Sequence, residues 1–330
     1  MLGAAVRVLI TGGAGFIGSH LADAYLAQGD EVYAIDDVST GSIANIQHNL
    51  DKARFHFVND SIMNYERMLE LTGICDVVVH LAAAVGVRYI IDNPLSSIQT
   101  NIQGTEIVLG LANKFRKKVL LASTSEVYGK HTHAPLLESD NIIYGPPTTW
   151  RWSYAASKLI DEYCALGYWR THGLPVVIAR FFNTVGPRQT GEYGMVIPRF
   201  VGQALSGEPI TVYGDGRQTR TFTYISDVVE AVKRLIDCRE AEGEVVNIGG
   251  TEETTMLALA ETIKAKTGSS SPIEFIPYER AFQRDFEDML RRVPSIDKLR
   301  RLTGFSPTVQ LEEMLERIID SFRALSLKVA

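Results

Sequence analysis

The chain has 330 residues, of which 45% are hydrophobic and 22% are charged, so it can bury a substantial core as one large domain or two smaller ones. This composition excludes a disordered or fibrous protein. The net charge of -6, spread without long blocks of like charge, lacks the electrostatic footprint of a nucleic-acid-binding protein.

The cysteines and the hydropathy pattern bear on location and on metal binding. Cys75, Cys164 and Cys238 are odd in number and far apart, which favours a reducing cytoplasm over a disulfide framework and indicates no zinc cluster. We expect neither a signal peptide nor a membrane span, since no apolar run reaches about 18 residues. The close pair His131 and His133 is typical of a solvated loop, so no metal site is expected.

Short β-branched runs alternate with helical patterns in the first half of the chain, as in βαβ units. The predicted strands are Val6–Ile10, Glu31–Ile35, Arg54–Val58, Val77–His80, Lys118–Ala122 and Val176–Arg180. The predicted helices are Phe16–Gln28, Pro94–Phe115 and Tyr154–Thr171. The pattern predicts the α/β class, with a Rossmann-type doubly wound parallel sheet.

A glycine-rich turn, TGGAGFIG at residues 11–18, follows the first strand and opens the first helix. Gly12 permits the tight turn, Gly15 lets the backbone approach a pyrophosphate, and Gly18 lets the helix pack close to the sheet. The helix N-terminus supplies N–H groups and positive dipole to the phosphates. The motif therefore predicts a dinucleotide cofactor.

Two acidic positions extend the cofactor prediction. Asp36 ends the second strand, 18 residues after Gly18, where a carboxylate accepts hydrogen bonds from the adenosine ribose and repels a 2′-phosphate. This favours NAD over NADP, with Asp37 as an alternative for the same role. Asp60, after the third strand, either reaches the adenine or caps the next helix.

The second half of the chain is less regular and predicts a smaller, mixed α/β substrate domain. Two later runs, Thr221–Tyr224 and Glu244–Ile248, are predicted to return to the main sheet as strands. The expected division gives residues 1–181 and the returning segments of about 221–248 to the NAD-binding domain. Residues 182–220 and 249–330 then form most of the substrate domain.

Tyr154 and Lys158 are spaced i to i+4 and share one face of the predicted helix. Tyrosine has a reference pKa of about 10, so it needs a nearby ammonium to act as a base at neutral pH. Thr124 lies at the carboxyl end of the fifth strand, where open α/β sheets bind ligands. Its hydroxyl can bond the same substrate oxygen as Tyr154, or it can simply cap the strand end.

Six segments together resemble the extended short-chain dehydrogenase/reductase superfamily, over the whole chain. They are TGGAGFIGSH, Asp36, LAAA at 81–84, STSEVYG at 123–129, YAASK at 154–158 and RFFNTVGPR at 180–188. More narrowly, the chain is similar to the enzymes that remodel nucleotide-linked sugars: 4-epimerases, 4,6-dehydratases and UDP-glucuronate decarboxylases.

The resemblance implies a shared first step, in which Tyr154 removes the sugar O4 proton while the C4 hydride passes to NAD. Thr124 assists Tyr154, and Lys158 tunes it and holds the nicotinamide ribose. The implied cofactor-binding residues are Gly12, Gly15, Phe16, Ile17, Gly18, Asp36, Asp60, Leu81, Ala82, Ala83, Asn101, Tyr154 and Lys158.

The resemblance also implies a set of substrate-binding residues. These are Arg88, Ser125, Asn183, Arg199, Tyr213, Arg220 and Arg292. Asn183 and Arg220 would bind the diphosphate, for which a guanidinium is well suited, and Tyr213 would lie near the nucleobase. Arg220 has the alternative of a surface cation and Tyr213 that of a core aromatic residue. Arg88 is a candidate for an anionic substituent of the sugar.

The residues around the reacting sugar discriminate between reactions. Dehydratases of this group carry Asp-Glu after the catalytic Thr, whereas this chain has Ser125-Glu126 and lacks the acid for elimination. Glu126, together with Arg292 in an Arg-x-Pro context, resembles the UDP-glucuronate decarboxylases.

We predict an NAD-dependent UDP-glucuronate decarboxylase that forms UDP-xylose or a related UDP-pentose. Its catalytic residues are Tyr154, Lys158, Thr124, Glu126 and Arg292. The rival is a 4-epimerase of UDP-glucuronate, UDP-glucose or UDP-N-acetylglucosamine, and a 4,6-dehydratase ranks third. A non-catalytic NAD-binding protein is a further alternative, against which the intact Tyr154, Lys158 and Thr124 argue.

The resemblance further implies a homodimer, in which each subunit contributes two helices to a four-helix bundle. The matching helical patterns are Pro94–Phe115 and Tyr154–Thr171. Ile98, Ile102 and Leu109 either serve that interface or face the sheet.

Overall fold

The computed structural model describes residues 5–86, 90, 93–191, 195–281 and 289–329. Seven parallel strands form its main sheet: β1 (Arg7–Thr11), β2 (Glu31–Asp36), β3 (Phe55–Asn59), β4 (Val77–His80), β5 (Lys118–Thr124), β6 (Val176–Phe181) and β11 (Val245–Ile248). Their order is β3-β2-β1-β4-β5-β6-β11. The chain changes direction across the sheet between β1 and β4, and ligands of such folds bind at the carboxyl ends of the strands there.

The other strands form small sheets beside the main one. They are β7 (Thr184–Val185), β8 (Ile210–Tyr213), β9 (Thr219–Thr221), β10 (Thr223–Tyr224), β12 (Glu253–Thr255), β13 (Ile273–Ile276) and β14 (Arg291–Arg292). Strand β10 pairs with β7, β9 lies between β12 and β14, and β13 pairs with β8.

Ten α-helices occur in the described part of the chain. They are α1 (Phe16–Gln28), α2 (Tyr65–Ile74), α3 (Pro94–Phe115), α4 (Arg151–His172), α5 (Val196–Ser206), α6 (Ile225–Asp237), α7 (Met256–Thr267), α8 (Tyr278–Ala281), α9 (Asp297–Thr303) and α10 (Leu311–Val329). Leu21 of α1 and Val228 of α6 pack on one face of the sheet. Leu71 of α2 and Leu109 of α3 pack on the other, so both faces are covered, as a parallel sheet requires.

The predicted fold class is confirmed. Within it, the run at 244–248 joins the main sheet as predicted, because β11 pairs with β6. The prediction that residues 221–224 also return to the main sheet is wrong: β9 and β10 belong to two different small sheets. The edge next to β6 is already filled by β11, and the Thr223 amide bonds the Asn183 carbonyl instead.

Helix α4 begins at Arg151, three residues before the predicted start. The extra turn places Arg151 on the same helical face as Tyr154, because residues three apart are neighbours on a helix. Among the helices described, none combines the length and the apolarity needed to cross a membrane.

Candidate active site

A cavity of about 860 Å³ lies at the carboxyl edge of the main sheet and extends between the sheet and the smaller β-sheets. Strand register brings several polar strand ends to this edge. Thr11 pairs with His80, Asp36 with Asn59, and Thr124 with Phe181. The cavity is therefore built from the ends of neighbouring strands and the turns that follow them.

The turn between β1 and α1 forms one end of the cavity. Gly12 has φ +72°, which favours glycine, and it turns the chain into the helix. A Cβ atom at Gly18 would lie 2.2 Å from the Gly12 carbonyl oxygen, so glycine is required for this close packing. Phe16 and Ile17 open α1 on the cavity wall, and no described side chain caps this helix. The turn thus fits a pyrophosphate at the helix N-terminus.

Three carboxylates line the same end: Asp36, Asp37 and Asp60. Asp36 is 9% exposed, and its carboxylate accepts hydrogen bonds from the backbone N–H groups of Ala14 (2.9 Å) and Val38 (2.8 Å). Burial raises the pKa of Asp36 above its usual value, against the lowering effect of these bonds. Asp60 accepts from the Asn64 amide at 2.8 Å, and Asn64 is the residue that caps α2. Asp60 is therefore not the helix cap and lies on the cavity wall.

The middle of the cavity holds the tyrosine–lysine pair. Tyr154 and Lys158 lie on α4, and both line the cavity with Thr124 at the end of β5. Burial raises the pKa of Tyr154, and the negative charges of Glu126 and Asp161 raise it further, whereas a hydrogen bond with the Thr124 hydroxyl lowers it. An additional positive charge in the cavity is needed for Tyr154 to act as a base at neutral pH.

A cluster of one carboxylate and two guanidinium groups lies beside Tyr154. Arg292 Nη1 is 3.1 Å from Glu126 Oε1, and Arg151 Nη2 is 3.4 Å from the same oxygen. Arg292 Nη2 also donates to Asn183 Oδ1 at 2.7 Å. Burial opposes ionisation of Glu126, but Arg151 and Arg292 outweigh it and hold the pKa of Glu126 below its usual value. The cluster carries one net positive charge.

The far end of the cavity is formed by the smaller sheets. The Arg199 guanidinium lies 3.8 Å from the centre of the Tyr213 ring, and both residues line the cavity. Arg220 is 8% exposed, lines the cavity and donates to the Thr219 carbonyl at 2.8 Å. Arg220 is thus not a surface cation. An aromatic ring in contact with a half-buried guanidinium, with the buried Arg220 on the same cavity wall, suits a base followed by phosphates.

Four more predicted residues lie on the cavity wall. Leu81 and Ala82 donate their backbone N–H groups to the Thr11 hydroxyl, which fixes the segment after β4. Ala83 continues that segment, and Ser125 begins the turn that carries Glu126.

Two predicted residues are not placed at the cavity. Asn101 is buried and does not line it; its side chain accepts from the Ala84 N–H at 2.7 Å and donates to the Ser157 hydroxyl at 3.2 Å. Asn101 therefore holds the lining segment at Ala84 in place from outside the cavity, and its direct contact with the cofactor stays a prediction. Arg88 lies outside the described residues.

Arg151 and Arg188 are charged residues of the cavity wall that lie outside the predicted set of site residues. Arg151 precedes Tyr154 by one helical turn, and this spacing is the signal that could have identified it. Arg188 lines the cavity and forms a 2.7 Å ion pair with Asp23 of α1, a contact that no local pattern indicates. Among the residues that the structure describes, no group of His, Cys, Asp or Glu side chains is arranged to hold a metal ion.

Comparison with known proteins assigns the chain to a family. The model of the GDP-mannose 4,6 dehydratase family matches residues 9–318. The chain belongs to this family. One relative is the UDP-N-acetyl-alpha-D-glucosaminuronate decarboxylase of Bacillus cytotoxicus, 43% identical over 97% of this chain and 98% of the relative. Another is UDP-glucuronic acid decarboxylase 4 of Arabidopsis thaliana, 38% identical over 96% of this chain and 69% of the relative.

A solved structure of an enzyme with a different reaction is also similar. The UDP-glucuronic acid 4-epimerase of Bacillus cereus, in complex with UDP-glucuronic acid and NAD, has a TM-score of 0.87 and 32% identity. The alignment covers 97% of this chain and 99% of the epimerase. The chain is thus similar both to decarboxylases and to a 4-epimerase of nucleotide-linked uronic acids.

Proposed function

We propose that the protein is an NAD-dependent decarboxylase of a UDP-linked hexuronic acid, UDP-glucuronate or its 2-acetamido derivative. The observation that carries this proposal is the Glu126–Arg151–Arg292 cluster beside Tyr154. Guanidinium groups are well suited to bind a substrate carboxylate, and two of them meet here next to Tyr154. Epimerisation alone gives Glu126 no function.

Residues at the β1–α1 turn would hold the cofactor. The Gly12–Gly18 contact and the uncapped start of α1 suit its pyrophosphate, and Asp36 suits a ribose without a 2′-phosphate. Bound NAD would accept the hydride from C4 of the sugar and would supply it again for the later reduction. A related epimerase was crystallised with NAD, which supports this assignment.

We expect the variant Gly18→Ala to lose NAD binding. A Cβ at this position would displace the Gly12 carbonyl and move the turn away from α1. The matched control is Gly202→Ala in α5, where a Cβ meets nothing within 4 Å and alanine favours the helix. Calorimetric titration with NAD checks both variants. Tight binding of NAD to Gly18→Ala would contradict the assignment of the β1–α1 turn to the pyrophosphate.

The chain's own residues then act on the sugar in sequence. Tyr154 takes the O4 proton, with Thr124 bonded to its oxygen, as the C4 hydride leaves. The 4-keto acid loses its C6 carboxylate as carbon dioxide, and the C5–C6 electrons move into the C4 carbonyl. Arg292 and Arg151 hold the departing carboxylate. C5 takes up a proton from solvent in place of the carboxylate, and Tyr154 returns its proton to O4 when C4 is reduced again.

The proposal is tested by incubating the protein and NAD with each of four compounds. These are UDP-glucuronate, UDP-N-acetylglucosaminuronate, UDP-glucose and UDP-N-acetylglucosamine, with products followed by mass spectrometry and proton NMR. A product lighter by one carbon dioxide molecule from a uronic acid establishes decarboxylation. A product of unchanged mass with the opposite C4 configuration would make the protein an epimerase.

We also infer a homodimer formed through α3 and α4. Leu95, Ile160 and Tyr163 are apolar or aromatic residues of these helices that are 68%, 43% and 68% exposed. Leu109 is fully buried against the sheet, so it does not serve this interface, whereas Ile98 and Ile102 are partly exposed.

We expect analytical ultracentrifugation to give the mass of two chains, and the variant Tyr163→Glu to shift the measured mass toward that of one chain. A monomeric wild type would contradict this.

The cytoplasmic location also stays a proposal. All three cysteines are free, which suits a reducing compartment.

A further inference from the structure

Asp161 is a buried carboxylate that the proposed reaction does not use. It lies three residues after Lys158 on α4, and its Oδ2 is 2.7 Å from Lys158 Nζ. The side chains of Lys158 and Asp161 are 3% and 1% exposed, so solvent hardly screens this pair. A buried ion pair of this geometry fixes the position of the ammonium group.

The position of Asp161 has an electrostatic consequence for Tyr154. An ammonium beside a tyrosine favours loss of the phenolic proton, and a carboxylate on the same ammonium opposes that effect. The pKa of Tyr154 is accordingly raised by burial, and then by Glu126 and Asp161. Burial also raises the pKa of Asp161 itself, against the lowering effect of Lys158.

Other charged groups in the region are accounted for by their own contacts. His80 on β4 faces Lys158, but burial lowers the pKa of His80 to about 3, so it is neutral. Glu162 is next to Asp161 in sequence but pairs with Arg180 of β6 at 2.7 Å. Cys164 on α4 also faces Asp161, and Glu106 on α3 acts on Cys164. Glu126 on the turn after β5 pairs with Arg151 and Arg292, and Arg220 on β9 acts on it as well.

We propose that Asp161 is a positioning residue for Lys158: its carboxylate holds the ammonium in the cavity wall, on the helix that carries Tyr154, and offsets the positive charge of that ammonium. The proposal rests on the proposed function, because it takes Tyr154 as the base. Tyr154 must take a proton from O4 and later return it. By offsetting the charge of Lys158, Asp161 keeps Tyr154 from remaining ionised.

The test is a titration of Tyr154 that needs no turnover. The protein has 13 tyrosines, so the signal of Tyr154 is isolated by difference. At each pH, the ultraviolet tyrosinate spectrum of a protein that also carries Tyr154→Phe is subtracted from that of the same protein with Tyr154 intact, with NAD saturating and no sugar present. We expect Asp161→Asn to move the difference titration to lower pH by about one unit, because a negative charge near the phenolate is removed. Lys158→Met should move it the other way.

Matched variants separate this effect from a general loss of packing. Asp227→Asn also removes a buried carboxylate, one that accepts from the Thr308 and Val309 N–H groups away from the cavity, and it should leave the Tyr154 titration unchanged. If Asp161→Asn does not fold, Asp161→Ser makes the same charge change with a smaller side chain.

The outcomes also distinguish this proposal from the proposed function. A titration of Asp161→Asn that coincides with the wild type, or that moves to higher pH, overturns the role of Asp161 even if decarboxylation is found. A shift to lower pH supports that role even if the reaction proves to be epimerisation. In an active enzyme, the acidic limb of the pH profile of kcat/KM should shift in the same direction as the titration.

Discussion

Replacing Tyr154 by Phe is expected to lower turnover by at least about 10³-fold, because general acid–base catalysis by one group contributes on this order and Tyr154 is used twice. The phenyl ring keeps the packing of α4, so the fold and NAD binding should persist. Product formation is measured by mass spectrometry, and bound NAD by release from the denatured protein.

The matched control for this variant is Tyr144→Phe. The Tyr144 ring stacks on Trp152 near the start of α4, and its buried hydroxyl has no hydrogen-bond partner among the described residues. Tyr144 does not line the cavity, so removal of its hydroxyl should leave turnover unchanged. Retained turnover in Tyr154→Phe would show that another group takes the O4 proton.

Replacing Arg292 by Met is expected to lower carbon dioxide release by about 10²- to 10³-fold, the usual effect of removing one electrostatic contact to a reacting group. Methionine keeps the apolar stem but leaves Glu126 and Asn183 without the guanidinium that joins them. Oxidation at C4 depends on Tyr154 and should persist, which a single-turnover absorbance measurement of the reduced cofactor can detect.

The neighbouring residue provides the control for this second variant. Arg291 is on the same short strand, but its side chain is 48% exposed and pairs with Glu253 outside the cavity. A surface ion pair of this kind contributes only about 0–1 kcal/mol, so Arg291→Met should decarboxylate normally. Equal rates for the two variants would remove Arg292 from the mechanism and weaken the decarboxylase proposal.

Local patterns identified the cofactor end of the cavity more completely than the substrate end. The turn at residues 11–18 and Asp36 belong to one βαβ unit, where spacing along the chain dictates spacing in the fold. The substrate end joins residues far apart in sequence, such as Glu126 with Arg292, and only the resemblance to known enzymes suggested that Arg292 belongs there. Arg151 lies outside the predicted site set, and its place on the face of Tyr154 follows only from the start of α4 one turn earlier than predicted.

The strand prediction at residues 221–224 failed for a related reason. Its β-branched and aromatic residues correctly indicated extended backbone, but pairing partners are chosen by the whole fold. Because β11 occupies the edge beside β6, residues 219–224 instead form β9 and β10, and Arg220 of β9 lies on the cavity wall.

The sequence by itself determined the α/β fold, the positions of its first six strands along the chain, the glycine turn, Asp36 and the spacing of Tyr154 and Lys158, because each depends on short-range periodicity or spacing. Only the tertiary structure decided that Glu126 lies between Arg151 and Arg292, and that Lys158 is paired with Asp161 in a setting almost without solvent. Burial and the approach of charges from separate elements set the energies of these ionised groups, and neither quantity can be read from local sequence.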